Sequence, residues 1–197
     1  MKKKMLSLIL ATLISGAMSA SATADTMGQE WEKISIYDIK NPATLFGEEW
    51  AAVAAGNKES LNAMTIGWGQ FGILWKRPIM TIYVAPERYT NEFLDKNEYF
   101  TVTGFPQTQK QALVYIGTHS GRNEDKLAKA GLTPIFTPLG NPIFKEANLA
   151  VECKIIYKEP FKSELLDQKA KDLYAANKIT PHVQYIGEVI NVWRKKE

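Results

Sequence analysis

The stretch NAMTIGWGQFGILWKRPIMTIYVAPERYT, residues 62–90, constrains the fold more than any other. It reads as two β-strands joined by a connection unusually dense in glycine and aromatic side chains: Gly67, Trp68, Gly69, Phe71, Gly72 and Trp75. The second strand, PIMTIYVA at 78–85, is β-branched, aromatic and bounded by prolines. Arg88-Tyr89-Thr90 follows, where that strand hands over to a short helix, Thr90–Lys96. Further strands are expected at EYFTVTGF, at ANLAVECKIIYKEPF (the longest candidate, ended by Pro160) and at HVQYIGEVINVW, 182–193. EEWAAVAAGNKESLNAMTIGW is divided in its signals. Its alanines favour helix, but Gly56-Asn57 is turn chemistry between two apolar runs, so a hairpin over 49–55 and 60–68 is predicted.

The remaining segments are short helices and turns. Residues 25–40 read as an extended entry, and Asn41-Pro42 opens a turn or helix. Helices are expected over 107–116, over NEDKLAKAG with Asn123 as cap and Gly131 as stop, and over 162–176 with Leu165, Leu166, Leu173 and Tyr174 at helical spacing. Strands separated by small helices, without regular βαβ alternation, point to an antiparallel barrel or sandwich decorated by helices.

The first residues belong to a different problem. Lys2, Lys3 and Lys4 precede an apolar run from Met5 to about Met18, and Ala22-Thr23-Ala24 follows. This is the three-part pattern of a secretory signal peptide over 1–24, leaving 25–197 as one domain that is exported to the periplasm or beyond the cell. The apolar run is shorter than the roughly 20 residues of a membrane span. Losing those three lysines reduces the 24 basic residues to the number of acidic ones, 21. Without a basic surplus, nucleic-acid binding loses its usual mark. Cys153 is the only cysteine and alternates with the apolar side of its strand, so it is expected as buried filler.

Familiar catalytic motifs fail on spacing. Two histidines and one cysteine lie too far apart for a zinc site. GTHSG at 117–121 puts its serine one place late for a nucleophile elbow, and Gly67-Trp68-Gly69 lacks the third glycine of a dinucleotide loop. What remains is a pattern suited to an anion and a flat ring. Arg88 and Thr90 sit at a helix start, where backbone N–H groups, a guanidinium and a hydroxyl can hold phosphate. Ser120-Gly121-Arg122 leads into a second helix start, with Lys126 one turn further on. Each alone reads as an ordinary cap beside a cation. Together with a Gly/Trp-rich strand end they favour a phosphorylated aromatic cofactor.

In NAMTIGWG, RPIMTIYVAPERYTNEF, EYFTVTGF, GTHSGRNEDK and HVQYIGEV, in that order and spacing, the chain resembles the flavin reductase-like family from about Trp50 to Trp193. The resemblance implies a mainly β fold with short helices, the antiparallel Greek-key FMN-binding split barrel. It implies Asn62, Ala63, Met64, Thr65, Gly67 and Trp68 along the flavin ring, Arg88 and Thr90 on the ribityl phosphate with Tyr89 beside it, and Ser120, Gly121 and Lys126 completing the site. No catalytic side chain is assigned; His182 is a candidate to assist at the ring, with an ordinary structural role at the start of its strand as the alternative. The resemblance also implies a homodimer with FMN near the interface, where the aromatics of 68–75 meet a partner, and hydride transfer from NAD(P)H to the flavin.

Three functions follow. The first is an NAD(P)H-dependent flavin reductase. The second is an exported FMN protein exchanging electrons with another donor, since general-route export leads away from the nicotinamide pool. The third is a binding module for haem or another ligand; for haem the axial ligand would be His119 or His182. No residue pattern for covalent flavin attachment occurs.

Overall fold

The computed structural model describes residues 26–39 and 42–196. The proposed signal peptide, residues 1–24, and Asn41 lie outside the described residues.

In chain order the elements are β1 (Trp31–Ile34), α1 (Pro42–Thr44) running into a π-helical turn (Leu45–Glu49), β2 (Ala51–Gly56), β3 (Leu61–Ile66), β4 (Gly69–Leu74), β5 (Arg77–Val84) and α2 (Tyr89–Lys96). Then come β6 (Tyr99–Gly104), α3 (Lys110–Thr118), α4 (Lys126–Lys129), β7 (Pro134–Phe136), β8 (Pro142–Phe144), β9 (Leu149–Pro160), α5 (Gln168–Asn177) and β10 (Val183–Lys195). One antiparallel sheet runs β3-β2-β6-β9-β10-β5-β4, with β1 added on β10. Although β3 and β4 are separated only by Gly67 and Trp68, they lie at opposite ends of that order. The sheet curls without closing, which is the split barrel. Register shifts between β9 and β10, at Ile186/Gly187 and Val189/Asn191, supply the bends such curling needs.

Two cores hold the sheet. Val53, Met80, Ile82, Phe100, Val151, Cys153 and Tyr185 fill the barrel interior. On the outer face, Ala52, Ala54, Ala63 and Ala150 pack under Leu113, Ile116, Leu127 and Phe144. Strand β2 is buried at every residue because its alternate side chains enter different cores. That explains why AAVAA is a strand despite its helical propensity: small side chains let the sheet approach α3, and burial on both faces outweighs a few tenths of a kcal/mol per residue of propensity. The hairpin predicted around Gly56-Asn57 is present. Gly56 takes φ 116, and Asn57 Oδ1 accepts from the amides of Glu59 and Ser60 at 2.9 and 3.1 Å.

Several expectations need correcting. The connection after Trp68 is itself a strand, β4, which turns directly into β5 at Trp75-Lys76. Both turn residues are left-handed, at φ 48 and 61, in a two-residue hairpin turn that ordinarily selects Asn-Gly. Gly69 is required there, since a β-carbon would collide with the Phe46 ring. The cap of α4 is Asp125, whose carboxylate accepts from Ala128 N at 3.1 Å, rather than Asn123; Gly131 ends the segment at φ 71. Residues 163–165 form a separate 3₁₀ turn, with Asp167 capping α5, so Leu165 is exposed and only Tyr174 is buried. At 13 residues β10 exceeds β9, which has 12. The β7–β8 hairpin was not foreseen. It is held by the buried carboxylate of Glu152, which accepts from Thr137 Oγ1, from Asn141 Nδ2 at 2.8 Å and from Asn191 Nδ2 at 2.7 Å. Cys153 is fully buried, and burial pushes its thiol well above the usual range.

Candidate functional site

A cleft of about 430 Å³ opens between the end of β5, the start of α2, the α3–α4 connection and the segment after α5. Its floor is polar and cationic. Arg88 stands at the N-cap position of α2 with no side-chain cap, and its Nη1 donates to Gly117 O at 2.9 Å. Thr90 is buried, and its hydroxyl accepts from Asn62 Nδ2 at 2.8 Å. Lys126, only 4% exposed, donates from Nζ to Ile116 O at 2.8 Å and to His119 O at 3.1 Å. Burial, together with the nearby Arg88 charge, lowers its pKa to about 8; Glu124 opposes that shift. A lysine carries three donors, so two carbonyl bonds leave one for a ligand.

The turn predicted at Ser120-Gly121-Arg122 closes one wall. Ser120 Oγ accepts from Arg122 N at 3.3 Å. A β-carbon at Gly121 would collide with Asn62 Oδ1, so glycine lets this turn press against β3. Arg122 lies over the Tyr89 ring at 4.7 Å and pairs with Glu92. Arg88, Tyr89, Thr90, Ser120 and Lys126 thus line one cleft, together with Met64. Asn62 and Gly121 do not line this cleft; they border a neighbouring cavity of about 750 Å³, which Lys126 lines too.

The β3 residues divide by strand alternation. Asn62 and Met64 share one face. Ala63 is buried in the outer core, and Thr65 donates its hydroxyl to Leu113 O on the α3 side. Beyond β3 the site becomes aromatic. Trp68 projects from the turn after Gly67, with its ring centroid 4.8 Å from that of His182. Nδ1 of His182 lies 3.2 Å from the Tyr174 hydroxyl. Burial holds the His182 imidazole below its ordinary pKa; Glu87 opposes this and Arg88 adds to it.

Sequence reasoning missed the wall beyond α5. Lys178, at φ 51, and Ile179 line the cleft, and Thr180 ties this segment down by donating its hydroxyl and its amide to Glu87 Oε1. The Thr180 hydroxyl holds the Glu87 carboxyl below its usual range. No local pattern marks these residues, because they reach the cleft only through the return of α5 to β10. His119 lines the cleft as well, stacked at 3.8 Å on Tyr115.

Comparison with known proteins fits this geometry. The flavin reductase-like domain pattern matches residues 45–197. The chain belongs to the flavin reductase-like family. Its fold is that of an FMN-binding domain of a flavin reductases-like enzyme from Shewanella baltica, at 17% identity and TM-score 0.62, covering 88% of this chain and 79% of that one. Flavoredoxin from Methanosarcina acetivorans matches at 22% identity and TM-score 0.59, over 82% and 74% of the two chains. An FMN-binding protein from Thermus thermophilus matches at 23% and 0.59, over 82% and 81%. No curated protein matches the chain. Among the described residues this family member has no cluster of metal-binding side chains and no helix long and apolar enough to cross a membrane.

Proposed function

We propose that the cleft binds FMN without a covalent link and that the protein is a flavin-dependent oxidoreductase. The observation that carries this is the convergence of Arg88, Lys126 and Lys178 on one cleft of ligand size beside an exposed aromatic wall. The donor set suits a phosphate: a guanidinium, a buried ammonium, the hydroxyls of Thr90 and Ser120, and the uncapped start of α2. Met64, Trp68 and His182 are the residues that would border the ring end of the ligand.

FMN supplies the redox chemistry, so no side chain has to act as an obligatory acid or base. Arg88 and Lys126 would neutralise the phosphate and fix its position. Thr90, held by Asn62, keeps the α2 start against β3. His182, anchored by Tyr174, sets its ring beside Trp68. A second copy of the chain covers Trp68, Ile73 and Trp75, the last two 61% and 63% exposed, and completes the ring end of the site.

The physiological donor is something other than NAD(P)H, because the first 24 residues read as an export signal. The purified protein is expected to show the paired near-ultraviolet and blue bands of flavin, with slow NAD(P)H oxidation. A single intense Soret band would defeat the flavin reading. Stopped-flow mixing of the FMN-loaded protein with NADH and NADPH tests the donor. Saturable bleaching on the scale of ordinary turnover, roughly 10 s⁻¹, would restore the plain NAD(P)H reductase.

A further inference from the structure

Among the described residues, Trp50 has the least expected backbone. It ends the π-helical turn at φ 66 and ψ 155, a region occupied almost entirely by glycine, yet it carries the largest side chain there is. A bulky residue stays in such a conformation only where its surroundings over-determine it. Here one residue does much of that. Lys110, at the start of α3, places Nζ 3.6 Å from the centroid of the Trp50 ring and donates to Glu48 O at 2.9 Å and Glu49 O at 3.1 Å. The ammonium satisfies the carbonyls that end the π turn and lies against the indole at the same time.

Trp50 leads directly to the aromatic end of the cleft. Its Cδ1 and Nε1 lie 3.6 and 3.7 Å from where a β-carbon on Gly67 would stand, in ordinary contact distance. From the same π turn, the Phe46 ring covers Gly69. Gly67 and Gly69 flank Trp68, whose ring meets His182. The π turn is therefore a bracket behind the Gly67–Gly69 turn.

We propose that Lys110 is a positioning residue for the ring-binding end of the site, acting through Trp50 on the turn that carries Trp68. This rests on the FMN reading for its ligand but not for its geometry, so two measurements separate the two ideas. The first uses flavin-free protein, in which the His182 imidazole NMR signal, assigned with the help of a His119→Gln variant, senses the Trp68 ring. Lys110→Met is expected to move that signal towards its position in Trp68→Ala, and Lys110→Arg, which keeps a cation and donors, to restore it. The second titrates FMN and riboflavin. Lys110→Met should weaken both by the same factor, about fivefold, with their ratio unchanged. If Lys110→Met does not fold, Lys110→Gln removes the charge with a smaller change and carries the same expectations. An unmoved His182 signal with unchanged affinities, even with a lowered thermal midpoint, would make Lys110 a purely structural anchor and overturn the proposal. A shifted His182 signal in a protein that binds neither flavin would support the positioning role while refuting the FMN reading.

Discussion

The two ends of the cleft are built differently. At the cationic end, three separated segments are tied together by hydrogen bonds: Asn62 to Thr90, Arg88 to Gly117, and Lys126 to Ile116 and His119. Arg88 has ordinary extended geometry, φ −70 and ψ 134. At the aromatic end, Trp68 is 44% exposed on a glycine turn, is backed by the strained Trp50, and touches His182 by ring contact rather than by hydrogen bond. The difference teaches a division of labour. The cationic end is preorganised within one chain and should decide which flavins bind. The aromatic end is soft and should add affinity without discriminating between FMN and riboflavin, which share the ring.

That division can be broken most forcefully at Lys126. Lys126→Met should weaken FMN by roughly 10- to 150-fold, the worth of a charge-assisted hydrogen bond, and leave riboflavin close to the parent value. Flavin fluorescence titration reads both, and equal losses would break the comparison. pH offers a second handle on the same residue. Because burial sets the free Lys126 near 8 and a bound phosphate favours its protonated form, FMN affinity should fall as pH rises through about 8. Riboflavin affinity should not follow, and the FMN slope should vanish in Lys126→Met. The sign reverses for folding of the ligand-free protein. The unfolded lysine keeps its proton up to the ordinary 10.5, so this group makes stability rise between pH 8 and 10.5.

At the other end, Trp68→Ala should weaken FMN and riboflavin together by about 2- to 12-fold, the worth of one aromatic contact. A loss confined to FMN would place the phosphate against Trp68 and invert the account. The smallest effect is expected at Thr180→Val, which removes the hydroxyl's hydrogen bond to the Glu87 carboxylate beside Arg88, leaves the amide's, and loosens the Lys178–Ile179 wall. FMN should weaken by about twofold, with the Glu87 pKa rising towards its ordinary value. A rise in FMN affinity would show that the clasp obstructs the cleft.

The cationic end was legible in the sequence because its signals are local. A strand followed by Arg-x-Thr and a Ser-Gly-Arg turn followed by Lys126 each announce a helix start, and the structure brings them to one cleft. Both sides of the Gly56-Asn57 hairpin were equally readable, since glycine and asparagine are what such a turn requires. The β4–β5 hairpin was hidden for the opposite reason: Trp75-Lys76 carries none of the expected turn chemistry, and glycines at 69 and 72 disguise β4 as a loop. Gly69 is there for the Phe46 ring, a contact made across the fold. Glu87 with Thr180, and Lys110 with Trp50, are likewise tertiary pairs, 93 residues apart in the first case. No spacing within either segment records them.

The central claim is that the cationic end holds the ligand's phosphate, and Arg88→Ala titrated with FMN and with riboflavin tests it most directly. The parent protein should prefer FMN by roughly 10- to 150-fold. Arg88→Ala should lose most of that preference through weaker FMN binding, with riboflavin affinity unchanged. A parent protein that binds the two flavins equally, or a mutant that keeps the parent's preference, would contradict the account.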